Sequence, residues 1–431
     1  MISYSKIDSK QKNNTWINRI FLWSTALSAP CAIIYARIPF TITPIRCIAV
    51  LSGFFVLTSY LRQGVIRLSL GEFIFFLIAL LLSAISLFQS TIYFDQAFFF
   101  FLSVVLFILV YITTAYYARD SSWNSEQLMG LLIITGVIFS VIGIADWIYG
   151  NLNGLSLWKA VLNYPDDTNY PASIVINSTP IPRATGLFSD PNLYAYYLLL
   201  PTSLVFMRLL CRSYNQKYSR VGMMLIFLIF LTALMLSMSR SGIAVLFGCI
   251  LFLVQKRFRA YAIVLIPIAI TVLVLSVSLL DQDGTLLEIM SQRLGLHRDV
   301  TATVGVERSL RFFSGIEAFL SSPLYGVGFG DLGHFLPENL NSKEVVTSHN
   351  FYLDILASMG IIGFSALALA TIIFLFNAWL NTKHSAIARA AVIAACGIFV
   401  TQLVYRNLLS PALAFQLSIV ATLCRKPPPH S

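Results

Sequence analysis

The chain has 431 residues, of which 57% are hydrophobic and only 11% charged, and its mean hydropathy is +0.78. Soluble domains carry about a quarter of charged residues, so these values exclude a water-soluble globular protein and imply an integral membrane protein. The formal net charge of +10 is scattered over the ends of apolar runs and is not gathered on one face; this excludes a nucleic-acid surface and leaves membrane lipids as the surrounding partner.

Residues 1–16 are polar and predict a cytoplasmic N-terminal tail. No small-residue cleavage site follows the first apolar run, so a cleavable signal peptide is not expected. Crossing the hydrocarbon takes about 20 apolar residues, and windows of that size predict about twelve transmembrane helices, an all-α polytopic architecture. They fall at 17–36, 39–59, 71–90, 94–117, 127–149, 192–211, 221–238, 241–254, 260–280, 352–379, 386–405 and 407–423. The eighth is short and the last contains Pro411. Residues 17–423 then form a single transmembrane domain and 424–431 a second tail. Lysines and arginines collect on the side of the N-terminus, among them Lys10, Arg62, Arg119, Arg212, Lys256 and Arg425, so both termini are expected in the cytoplasm.

That topology leaves two long external segments, 150–191 and 281–347. In the second, Val306, Leu310, Phe313, Ile316 and Leu320 recur at helical spacing, with Arg308, Arg311 and Ser314 on or near the other face. The expectation is a long, partly helical loop whose helix lies on the membrane surface or caps the bundle. A glycine-rich turn follows, "SPLYGVGFGDLGHF" at 322–335, with no strand-turn-helix unit around it to make a dinucleotide site. The six cysteines lie in or beside apolar runs without CxxC spacing and read as small apolar fillers. "DQD" at 281–283 and "DD" at 166–167 have spacings seen in metal sites, but "DQDG" reads equally as a turn. No metal and no other cofactor is expected.

Three residues fall together on the external face. Arg183 precedes the sixth span, Arg240 stands at the junction of the seventh and eighth in "SMSRSG", and His349 opens the tenth in "TSHNFYLDILASMGIIG". An arginine between two apolar runs is costly at membrane depth, about 2.5–3.5 kcal/mol at the bilayer centre. It demands an anion or water. The hydroxyls and glycine of 237–242 are suited to break both helices near the interface. Guanidinium groups hold phosphate oxygens in a planar fork, so two of them can neutralise a diphosphate leaving group. An imidazole that titrates near neutrality can take the proton of an attacking hydroxyl. Such parts suit transfer of a glycan from a lipid diphosphate to an alcohol. The plainer readings are an Arg183 that snorkels to headgroups and a His349 beside a helix cap made by Ser348 or Asn350.

"RATGLFSDPNLYA" at 183–195, "SRSGIAVL" at 239–246, and "SPLYGVGFGDLGHF" followed by "SHNFYLDILASMGIIG" resemble, in order and spacing, the O-antigen ligase and polymerase superfamily of bacterial envelope proteins. The resemblance covers about 180–365. It implies a GT-C-type glycosyltransferase of the bacterial inner membrane, with its active site facing the periplasm. The implied donor is a glycan on undecaprenyl diphosphate and the implied acceptor a sugar hydroxyl of the lipid A core, joined by a metal-independent, inverting displacement. Carried over by residue, Arg183 and Arg240 bind the diphosphate and His349 activates the acceptor. Arg308 or Arg311 matches a recurring loop arginine, and Asn192, Ser239 and Asn350 are further substrate-binding candidates. A polymerase that joins lipid-linked repeat units has the same donor and remains open beside the ligase. A lipid-linked sugar transporter is the reading without chemistry, against which stand the confinement of polar residues to one face and the lack of internal repeats.

Overall fold

The computed structural model describes residues 18–28, 36–37, 41–42, 68–90, 92–119, 123–153, 173–176, 179–188, 190–210, 219–254, 302–329, 331–335, 350–382, 385–403 and 409–425, with single positions at 16, 47, 51, 53, 157 and 348. The predicted spans 39–59 and 260–280 fall largely or wholly outside these residues. Ten helices carry the described fold: α1 Leu70–Gln89, α2 Phe94–Ala118, α3 Ser125–Asn153, α4 Pro191–Leu210, α5 Arg220–Leu236, α6 Arg240–Leu253, α7 Ala302–Ser321, α8 Phe351–Leu380, α9 Ala386–Thr401 and α10 Pro411–Leu423. Residues 18–28 are helical as well. Nine of the predicted spans therefore coincide with α1 to α6 and α8 to α10.

Five helices, α1 to α4 and α8, are long and apolar enough to cross a membrane, and α5, α6, α9 and α10 are shorter apolar helices. The chain is a multi-pass membrane protein. Pro411 does not interrupt the last helix, because it occupies the first turn, where a missing N–H costs nothing. Two short antiparallel hairpins add to the helical class: β1 (Ala36–Arg37) pairs with β2 (Thr41–Ile42), and β3 (Ser173–Ile176) with β4 (Thr179–Pro182). The first occupies ground the hydropathy windows assigned to spans.

The chain divides into two compact units, one of residues 1–135, 307–392 and 402–431, the other of 136–306 and 393–401. In the first, α2 packs on α10 and α1, and α1 packs on α8. A buried ionic cluster fastens the helix ends there. Glu72, in a capping box with Ser69, accepts from the Tyr111 hydroxyl at 2.7 Å and pairs with Arg119 and with Arg425. A carboxylate this deep is tolerable because every lone pair has a donor.

Helix α8 is broken at Gly360, whose φ of 64° is left-handed. The stretch 361–380 alone is long enough, at about 1.5 Å per residue, to cross about 30 Å of hydrocarbon. The break frees backbone groups, and the glycine-rich turn after α7 takes them up. Val327 N–H donates to Ala357 O and Gly328 N–H to Ser358 O, both at 3.0 Å, while Ile361 N–H donates to Pro323 O at 2.8 Å. The two backbones touch. A Cβ on Gly326 would lie 2.3 Å from Ser358 C, and one on Gly360 would lie 2.3 Å from Leu324 C.

The turn is also bound to the end of α1. Phe329 N–H donates to Ser86 Oγ, Asp331 accepts from the N–H groups of Ile92 and Tyr93, and the Phe329 ring stacks on Phe100. The motif therefore acts as a clamp that fixes where α8 breaks.

Candidate functional site

In the second unit, α4 packs against α5 and α6. Their meeting ends carry four of the sequence-derived candidates. Helix α5 stops at Leu236, Met238 takes a left-handed φ of 51°, and Ser239 caps α6 by accepting from Gly242 N–H at 3.3 Å. A left-handed residue with a side chain costs about 1–2 kcal/mol. The segment 183–184 holds this turn in place: Ala184 N–H donates to Leu236 O at 3.0 Å and Arg183 Nε to Ser237 O at 2.9 Å.

Arg183 also donates through Nη2 to Asn192 Oδ1 at 3.3 Å. Its side chain is nearly enclosed, with 9% exposure. That differs from an arginine that snorkels to headgroups, since its polar end is spent on protein acceptors. Asn192 stands in the first turn of α4, where Asp190 caps the helix by accepting from Asn192 and Leu193 N–H.

Arg240 begins α6 one residue after the capping serine and is exposed. Next to it, Ser241 shares a hydrogen bond of 2.8 Å with the Tyr196 hydroxyl on α4. Helices α4 and α6 can approach this closely because Gly242 has no side chain; a Cβ there would lie 2.8 Å from Ala195 Cβ. Two helix N-termini thus open beside Arg183 and Arg240, and helix dipoles and guanidinium groups alike favour an anion.

Two positioning residues were not singled out in the sequence. Asp146 on α3 is fully buried and accepts from Leu157 N–H at 3.0 Å and from the Thr185 hydroxyl at 3.3 Å. It anchors the loop two residues after Arg183. The signal was present: a carboxylate inside an apolar span is rare unless it has a task. Thr185 offers no comparable signal.

Of the remaining candidates, Arg308, Arg311 and Asn350 belong to the first unit. His349 lies outside the described residues, as do Asp166, Asp167, Asp281 and Asp283. Its neighbours are fixed. Ser348 N–H donates to Asp354 Oδ1 at 2.8 Å, and Asn350 caps α8 by accepting from Tyr352 and Leu353 N–H at 3.0 and 3.1 Å. The Asn350 carbonyl is therefore occupied by capping, the plainer of the two roles foreseen for it. Arg308 and Arg311 both lie on α7; Arg311 is half-buried, and the side chain of Arg308 lies outside the description. Gly315, one turn after Arg311, meets the start of α8: a Cβ there would lie 3.0 Å from Leu353 and 3.1 Å from Ser348. The first unit also contains an apolar cavity of about 30 Å³ bordered by Phe75, Phe76, Phe100, Phe107, Phe351 and Met359, and none of the arginines lines it.

Residues 225–368 match the family model described as O-Antigen ligase. The matched region contains Ser239, Arg240, Arg308, Arg311, His349 and Asn350, and it begins after Arg183 and Asn192. No curated protein matches the chain. The match supports the family recognition that the motifs gave, and with it a link to membrane glycosyl transfer.

Proposed function

We propose that the chain is an O-antigen ligase of the GT-C type, which moves polysaccharide from undecaprenyl diphosphate to a lipid A core hydroxyl at the periplasmic face of the bacterial inner membrane. The observation that carries this reading is the arginine corner, where Arg183 binds Asn192 and Ser237 near the exposed Arg240, which opens α6. A site of that charge fits the diphosphate of the donor.

The two arginines then have different tasks. Arg240 offers its planar fork to the diphosphate oxygens, and Arg183, tied to Ser237 and Asn192, supplies a fixed charge behind it. His349 accepts the proton of the acceptor hydroxyl as that oxygen attacks the anomeric carbon. The bond from that carbon to the diphosphate breaks, and its electron pair leaves with the diphosphate. Inversion follows from a single displacement. A diphosphate departs readily once its charge is neutralised, so arginines and one base suffice.

The test uses purified protein in proteoliposomes with lipid-linked glycan, with and without lipid A core. Transfer that requires the core is the expected result, and a product ladder from donor alone would replace the ligase reading by the polymerase. His349→Ala should abolish transfer while donor binding persists; transfer at the normal rate in that variant would remove the histidine from the mechanism.

A further inference from the structure

Helix α7 is built inside out for a helix in water. At about 100° per residue, Ser314, Gly315 and Ala318 share one sector, and that sector is the buried one: Ser314 and Ala318 are 7% and 0% exposed, and Gly315 abuts Leu353 and Ser348. Ala318 joins Ala357 and Leu332 in a small core. The opposite sector holds Phe312, Phe313, Ile316 and Leu320, of which Phe313 and Leu320 are 63% and 65% exposed. Glu317 and Ser321 mark the polar edge of that stripe.

A helix packed on a protein in water buries its phenylalanines and leucines and shows its serines. Packing through small residues with large apolar ones turned outward is the arrangement of helices that associate in lipid, where burying a leucine against protein gains little over leaving it among acyl chains. The stripe also has a continuation. Leu324 and Tyr325 follow it, both exposed, and the turn that carries them is hydrogen-bonded to Ile361 of α8 and Gln89 of α1. Ile361, Ile362 and Phe88 are exposed beside them on two helices long enough to cross a membrane.

We infer that the face formed by Phe312, Phe313, Ile316, Leu320, Leu324 and Tyr325 docks into the acyl-chain edge of the lipid leaflet at the start of α8, so that α7 is a membrane-embedded helix and not part of a loop in water. The occupant is bilayer lipid, because the stripe continues through Leu324 and Tyr325 to the exposed Ile361, Ile362 and Phe88 of the apolar helices α8 and α1. A second copy of the chain would need to cover that transmembrane surface as well. The inference is independent of the proposed reaction and goes beyond it.

The experiment places a fluorescent label at Phe313→Cys, Leu320→Cys or Glu317→Cys in full-length protein whose native cysteines are replaced by alanine. The protein is reconstituted in vesicles of phosphatidylethanolamine and phosphatidylglycerol. Expected is severalfold stronger quenching at 313 and 320 by a lipid carrying a nitroxide on its acyl chain than by iodide in the water, with the preference reduced at 317. Stronger quenching by iodide at 313 and 320 would overturn the inference by placing the stripe in water. Shielding from both quenchers, relieved when the protein is diluted into excess lipid, would overturn it in favour of a second copy. Because binding of detergent-solubilised protein to lipid-linked glycan is read separately, a failed docking test leaves the enzyme reading standing, and the reverse holds too.

Discussion

The arginine corner, between α5 and α6, and the clamp at Gly360, inside α8, are both places where an apolar helix is interrupted, and they close the interruption by opposite means. At the corner, the freed carbonyls of Leu236 and Ser237 are taken by a backbone N–H and a guanidinium from 183–184, around a left-handed Met238. At the clamp, the freed groups of α8 are taken by a second backbone, in a contact that leaves no room for a side chain at Gly326 or Gly360. An interruption closed by a side chain brings charge to the turn, which suits chemistry. One closed by backbone alone carries no charge and is suited to setting where a helix breaks.

The largest effect is expected where the clamp is broken. Gly360→Ala and Gly326→Ala each add a Cβ 2.3 Å from a backbone carbon at a positive φ. The left-handed conformation costs about 1–2 kcal/mol and the overlap about 1–3 kcal/mol more, so thermal unfolding in detergent should shift down by the largest step of any variant considered. A transition within error of the parent for both would remove the clamp.

The corner should separate stability from activity. Arg183→Ala strips Ser237 O of its charged donor, a loss of about 1.5–3 kcal/mol, and both stability and donor binding should fall. Arg240→Ala removes an exposed side chain, so the unfolding transition should stay within about 0.5 kcal/mol while glycan transfer is lost. Lys at 183 should not restore donor binding, because an ammonium lacks the fork that reaches Ser237 and Asn192 together. Equal loss of stability in the two alanine variants would erase the difference in role drawn here.

Asn350→Ala tests the entry to α8 more gently. Loss of an N-cap costs about 1 kcal/mol, and faster hydrogen exchange should be confined to the first turn, at Tyr352 and Leu353. Asn350→Asp, which retains the acceptor, should leave that exchange slow.

Sequence alone carried nine of the twelve predicted spans as helices, five of them long enough to cross a membrane, because a long apolar run is legible without its partners, and it carried the turn at the corner, because an arginine between two apolar runs is a signal that needs no partner to be seen. It also offered the cap at Asn350 beside the catalytic reading of the same motif. The clamp was harder. Four glycines in 322–335 mark a turn, but which backbone they approach depends on Gly360, beyond the loop and inside an apolar run. Helix α7 was read correctly in its periodicity, with Phe313 and Leu320 on one face and Ser314 on the other. The buried face was not legible, because an amphipathic pattern does not say whether water or lipid lies outside. Asp146 was passed over for a related reason: one carboxylate in a span announces a task, but only the folded loop shows that the task is holding Thr185.

The smallest expected effect fixes the scale for the others. Gly248 on α6 and Gly130 on α3 would each receive a Cβ with nothing within 4 Å, and both sit in regular helix. Alanine there removes the backbone entropy that glycine loses on folding, so Gly248→Ala and Gly130→Ala should leave transfer unchanged and raise stability by up to about 1 kcal/mol. The sign matters more than the size, since the same methyl group is added at Gly360 with the opposite consequence. If Gly248→Ala lowers the transition as far as Gly360→Ala does, the cost reflects any added bulk in the bundle, and the contrast between a clamp of backbone and a corner of side chains loses its physical basis.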